Sequence, residues 1–431
     1  MKPICYLFFG ILLCVGCKNT PKTPAVVTNL EEYNRYLKIE KNEIIDAAQQ
    51  DYKFWEEKLE KEPNQFPYLV KAAASQYQLF NQTGRIDHLI EAEKRLVAAN
   101  QASNYKNSGY LRALARNYIS QHKFKDALEL LKTAETNGDK LKSTQKMLFD
   151  VYLELGDTRA AKQYLSKIEN YKDFDFLIRL SKWSDHEGNL KDAILYLQKA
   201  TELAEASRNE GLMQWSYTNL ADYYGHAGKI QASYKYYLKA LELNPNDAYA
   251  KKGIAWIVYS HEKNPDEALR ILNAATTTYN APDYHLLKAE IAEFKGDIKM
   301  KKTQLKLYKN AVANHLYGDM YNKYNALLFA ENAEEMAKAL EIAHEEISNR
   351  PTAQSYDLLA WTHYKQGALK EALEVMENHV VGKTFEPEVM YHLAEVYKAN
   401  GKSAKAKQLK EELLESRFEL GPVMSQSIKN I

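Results

Sequence analysis

The same residue types return every 34 positions along this chain. Ala221, Ala255 and Ala289 are spaced this way, as are Ala360 and Ala394, Tyr118 and Tyr152, Ala127 and Ala161, Gly367 and Gly401, and Ala372 and Ala406. A fixed period of this length marks a repeated supersecondary unit that buries its apolar face against its neighbours. The pattern favours a stacked array over a single globular core.

The residues inside one period say what the unit is. Leu114-Ala115-x-x-Tyr118 precedes Phe124, Ala127, Leu131 and Ala134. Leu220-Ala221-x-x-Tyr224 precedes Gly228-Lys229-Ile230, Tyr237, Ala240 and Pro245. Leu359-Ala360 precedes Gly367-Ala368-Leu369, Ala372 and Met376, and Leu393-Ala394-x-x-Tyr397 precedes Gly401 and Ala406. Apolar residues at i, i+3, i+4 and i+7 describe two amphipathic helices per unit. Small Ala side chains let the two approach closely, and Leu and Tyr fill the space beside them. The intervening Gly suits a left-handed helix end, and Pro245 and Pro351 stop one unit before the next. With only 17 Gly and 11 Pro in 431 residues, short turns between helices fit and an all-β fold does not.

These motifs resemble the tetratricopeptide repeat family. The resemblance covers residues 67–420 in about ten units, at 67–100, 108–141, 142–173, 174–207, 214–247, 248–281, 282–315, 320–353, 353–386 and 387–420. It is strongest at 108–141, 214–247, 353–386 and 387–420. It is weak at 174–207, where Ser181 and Ser184 replace Ala and Tyr, and at 320–353, where Ala330-Glu331-Asn332-Ala333 shortens the first helix. Extra residues stand around Ser207–Gly211, as a loop or as longer helices, and around Asn264-Pro265-Asp266. The resemblance implies an all-α fold, a right-handed α-solenoid superhelix whose first helices line a concave face. Residues 29–66 read as N-terminal capping helices and residues 421–431, which lack helix signals, as a loose tail.

The three cysteines, Cys5, Cys14 and Cys17, all precede the array. Lys2 and an apolar run from Ile4 to Val15 have the form of a secretion signal, too short to span a bilayer. Val15, Gly16 and Cys17 resemble the bacterial lipobox, although Cys14 stands where that motif usually has Leu. The resemblance implies a signal peptide at 1–16, lipidation of Cys17 and a lipid anchor in the cell envelope, with the outer membrane as the expected site. Residues 17–28, with Lys18, Pro21, Lys22 and Pro24, read as a flexible tether. A simple secreted form and an uncleaved cytoplasmic chain are the alternatives.

Function in such a solenoid depends on which side chains face the groove. Counting from the Leu-Ala pairs places Arg112 and Arg116 there, then Trp215 and Asp222, Tyr249, Trp256 and Tyr259, Tyr321 and Tyr324, Trp361 and Tyr364, and Tyr391. Exposed Tyr and Trp bury much area at little entropic cost. Each ring has a second available place, packed against the next repeat, and both Arg residues could serve in surface ion pairs. Some family members hold a terminal carboxylate through Lys, Asn and Arg; the Asn partners are missing here, so that activity is not expected.

The catalytic inventory is empty. His344-Glu345-Glu346-Ile347-Ser348 starts like a zinc-protease helix but lacks the second His. There is no Gly-rich phosphate loop, no Gly-x-Ser-x-Gly turn and no Cys after position 17. No catalytic residue, cofactor or metal is expected. With 58 basic against 57 acidic residues, neither is nucleic acid. The expected function is an envelope-anchored adaptor for a protein or peptide partner. A glycan-binding surface lipoprotein acting with a transporter and a cytoplasmic peptide-sensing regulator are the alternatives.

Overall fold

The computed structural model describes residues 25–38 and 41–431. The signal segment 1–16, Cys17 and the tether up to residue 24 lie outside the described residues. Among those described there is no strand, and no helix is long and apolar enough to cross a membrane.

Ten helical hairpins follow one another. They begin with Phe66–Thr83 and Ile86–Ala102 and end with Pro387–Ala399 and Ser403–Leu413. The periodic alanines lie where the two helices of a hairpin meet: Ala221, Ala255, Ala360 and Ala394 are fully buried. Hairpin turns use residues with positive φ, such as Gly228 and Gly367. His122 and Lys263 take the same left-handed conformation in two other hairpins, where local geometry overrides the usual steric cost. Around Ser207–Gly211 the longer-helix reading holds: Leu190–Ser207 and Glu210–His226 almost abut. The extra residue before Pro265 is taken up as a π turn, Ile257–His261, continuing the helix Ala248–Trp256. There the Glu262 N–H reaches back to the Ile257 carbonyl.

Packing is close enough to dictate single residues. Gly253 lies beneath the Tyr237 ring, and a Cβ there would stand 2.2 Å from the ring's Cζ. A helix-interior glycine is unfavourable by roughly 1 kcal/mol relative to alanine, so its presence here reflects that ring.

The solenoid also closes on itself. The Asn280 N–H donates to the Thr83 carbonyl at 2.8 Å, Lys125 Nζ to the Ser348 carbonyl at 2.7 Å, and Arg350 pairs with Glu154 at 3.4 Å. Gly156 lies against Pro351, and Gly188 against Phe385. A hairpin turn thus meets the chain five or six units further on, and successive superhelical turns touch edge to edge.

Both ends depart from the sequence expectation. Glu43–Lys61 does cover the first hairpin, with Asp51 accepting from Ser75 Oγ and Glu56 pairing with Arg95. Leu30–Leu37 does not. It straps across the sixth unit: the Val27 and Thr28 N–H groups donate to Glu262, Tyr33 donates to Glu267 at 2.6 Å, and Tyr33 and Tyr36 are buried beside Tyr234 and Leu269. The residues read as a loose tail are helical through Ile428, within the helix Arg417–Ile428, and Ile428 is fully buried.

Candidate binding groove

First helices of successive units line the inner wall. Between Val70 and Arg179 they enclose a groove of about 480 Å³, floored by Val70, Ala73, Ala74, Tyr77, Ala113 and Met147 and edged by Arg112, Arg116, Lys146, Asp175 and Arg179. Ala113 and Met147 of the floor are 34 residues apart, each one position after an edge cation, Arg112 and Lys146. Arg112 donates to the Asp139 carbonyl at 2.8 Å and to Thr144 Oγ1 at 3.1 Å, and partial burial pulls its guanidinium below the ordinary value. Lys146 bridges Asp173 and Asp175 at 2.7 and 3.0 Å, and Arg179 pairs with Asp150 at 2.6 Å. Arg116 differs: it is exposed, and its side chain has no ion pair or hydrogen bond among the described residues.

Arg112, Lys146 and Arg179 recur at spacings of 34 and 33. The sequence reading named only the first of them. The period that located Arg112 would have located the other two.

The wall continues into a second concavity of about 470 Å³ lined by Asp150, Arg179, Lys182, Asp185, Trp215 and Tyr223. Trp215 is 41% exposed there, its ring edge-on to Phe174. Asp185 is half-buried, and burial raises its carboxyl. A third space, about 950 Å³, separates the two superhelical turns, with Glu154, Lys182 and His186 on one side and Lys323, Arg350 and Phe385 on the other. Burial works against the Glu154 charge, but Lys182 at 2.8 Å and Arg350 hold its carboxyl below the usual range.

The aromatic residues expected in the groove divide. Tyr249 is 52% exposed and donates to Asp222 at 2.6 Å; Tyr237 also donates to Asp222. Desolvation raises the Asp222 carboxyl against the pull of both phenols. Tyr324 is exposed, whereas Tyr321 and Tyr391 are half-buried among other rings. Tyr259 is fully buried, its hydroxyl on Glu290 at 3.0 Å. Trp361 is 6% exposed, stacked 3.9 Å from His392 and 4.9 Å from Tyr364, which donates to Glu395. Trp256 is half-buried, its indole N–H donating to the Phe418 carbonyl. Tyr259 and Trp361 are therefore packing residues. Among the described residues, no group of three His, Asp or Glu side chains is placed to hold a metal.

Residues 216–247 and residues 352–378 each match the family model of the tetratricopeptide repeat. The chain is a tetratricopeptide-repeat protein. No curated protein matches its sequence. Among solved structures, a tetratricopeptide repeat protein from Parabacteroides merdae is similar at 17% identity and a TM-score of 0.39, over 64% of this chain and 98% of that one. PilW, described as a type IV pilus biogenesis factor, is similar at 15% identity and 0.39, over 49% and 96%. Yeast Tom70 is similar at 14% identity and 0.38, over 93% and 96%. Stacked tetratricopeptide repeats make this chain a scaffold for protein–protein interaction.

Proposed function

We propose that the chain is a lipid-anchored adaptor of the bacterial envelope, without catalytic activity, that holds a partner protein by a peptide segment laid along the inner wall between Val70 and Tyr223. One observation carries this reading. Arg116 is an unneutralised cation above a floor of three alanines with Val70, Tyr77 and Met147, whereas the neighbouring Lys146 and Arg179 already have carboxylates. Such a wall fits an extended segment with a carboxylate at Arg116, short aliphatic side chains on the Ala floor and a contact on the exposed face of Trp215. Charge-assisted hydrogen bonds contribute about 1.5–3 kcal/mol each. Exposed aromatic anchors are typical centres of binding energy.

The lipobox-like Val15-Gly16-Cys17 supports anchoring through Cys17, with the outer membrane as the destination. Two measurements test the two halves separately. Growth with a labelled fatty acid should label the wild-type chain and leave a Cys17→Ser variant unlabelled; an unlabelled wild type contradicts anchoring. Affinity for the captured partner should fall at least tenfold on Arg116→Glu and on Trp215→Ala. Unchanged affinity in both contradicts the groove.

A further inference from the structure

The inner wall around Gly225, Trp256 and Ser260 is occupied, and by the chain itself. The helix Arg417–Ile428 follows the last hairpin and packs on it through Leu420, Met424 and Ile428, while its N-terminal turns reach across to the first helices of the fifth, sixth and seventh units. The reason begins in the sequence. Gly421 has φ 74° and ψ 173°, outside the helical range, and Pro422 follows it. A helix would satisfy the Phe418 carbonyl with the N–H of residue 422, which a proline lacks. The carbonyl is left without its helical donor, and the wall supplies two: Trp256 Nε1 at 3.0 Å and Ser260 Oγ at 2.6 Å.

The surrounding contacts are equally specific. The Phe418 ring lies on Gly225, where a Cβ would come within 2.8 Å of it. Glu419 stands 3.5 Å from His226 Nδ1. Gly421 passes so close to Trp256 and Glu290 that a Cβ would be 2.8 Å from each. The donors come from the junction of Ala248–Trp256 with the π turn Ile257–His261, a helix distortion that recurs at functional sites. Side chains that read a backbone carbonyl, a bare glycine surface that admits a ring and a His opposite a carboxylate together make a peptide-binding site. The docked helix shows how that site is filled.

We propose that the wall around Gly225, Trp256 and Ser260 is a second peptide-binding site and that the chain's own C-terminal helix is its resident ligand. A partner segment of the same chemistry displaces that helix: an aromatic residue, an adjacent carboxylate and a glycine–proline break that frees a carbonyl. This site is distinct from the groove at Arg116 and stands or falls without it.

The test uses the full chain. Hydrogen exchange of Arg417–Ile428 should run at least tenfold faster than that of Pro387–Ala399, because a displaceable ligand opens without unfolding the array. A fluorescent peptide of residues 415–431 should bind the Gly421→Ala chain at least tenfold more tightly than the wild type, since the added Cβ loosens the competing helix. Adding Trp256→Ala should remove that gain, and Arg116→Glu should leave it intact. Exchange of 417–428 as slow as that of Pro387–Ala399 would overturn the proposal. So would fast exchange with no gain in peptide affinity.

Discussion

The two halves of the inner wall use the same repeat to opposite ends. From Val70 to Tyr223 the first helices present small residues and charged edges, and the space before them is open. At Trp256 and Trp361 they present large rings that are covered, the first by the backbone at Phe418 and Gly421 and the second by His392 and Tyr364. An aromatic residue at either of these two positions has found a cover. A small residue flanked by an unneutralised cation marks a surface that is still available. Trp215 and Tyr249, between the halves, and Tyr324, further along, are large and still exposed.

The largest expected effect falls on the closed half. Trp361→Ala removes a buried ring from between His392 and Tyr364 and should destabilise the last two hairpins by about 3–5 kcal/mol. Local hydrogen exchange within Ala353–Ala399 measures this. A loss below about 1 kcal/mol would mean that the ring is not part of the core, and the comparison would break there.

The next effect follows pH. Burial pushes the Glu290 carboxyl up to about 7, with the Tyr259 hydroxyl opposing the shift and Glu293 and Glu388 adding to it. Gly421 of the C-terminal helix lies against this carboxyl, so undocking admits water and should bring its value back towards 4.5. Docking is therefore strongest below the free value and weakens as pH rises through about 7. Between pH 5 and pH 8 the change should approach about 3 kcal/mol at most. Exchange of Arg417–Ile428 should accelerate over that interval while Phe66–Thr83 does not; a flat profile would contradict the burial of Glu290.

A smaller effect sharpens the boundary between the halves. Gly253→Ala improves helix propensity yet drives a methyl group into Tyr237, and overpacking of this kind costs about 1–3 kcal/mol. Urea unfolding should show the loss in the fifth and sixth units. Trp215→Ala, on the open side, should cost less than this in the same assay, because 41% of the residue already faces water.

The hairpins were legible because their signals are local: helical spacing of Leu and Tyr, an Ala at each helix contact and a Gly between helices. The groove was legible in part, since Arg112 and Arg116 stand where the register places them. Lys146 and Arg179 carry the same register, but their units have Leu148-Phe149 and Leu180-Ser181 in place of the Leu-Ala pair that anchors the count. Contacts between superhelical turns, such as Gly156 with Pro351, join residues that share no pattern, so no periodicity points to them. The same holds for Tyr33 and Tyr36, whose helical spacing suits a cap as well as a strap. Trp361 shows a third limit: one residue step rotates a side chain by about 100° around a helix, so a small error in register moves a ring from wall to core. Gly421-Pro422 hid the last helix because it breaks the helical pattern in the middle of a segment that is helical on both sides.

Photocrosslinking along the wall tests the central claim most directly. A crosslinking residue placed at 116 or at 215 should capture the same partner in the envelope. One placed at 361, or at the outward-facing Leu195, should capture none. Equal capture from 195 and 116, or capture from 361 alone, would contradict an account in which the open half of the inner wall receives the partner.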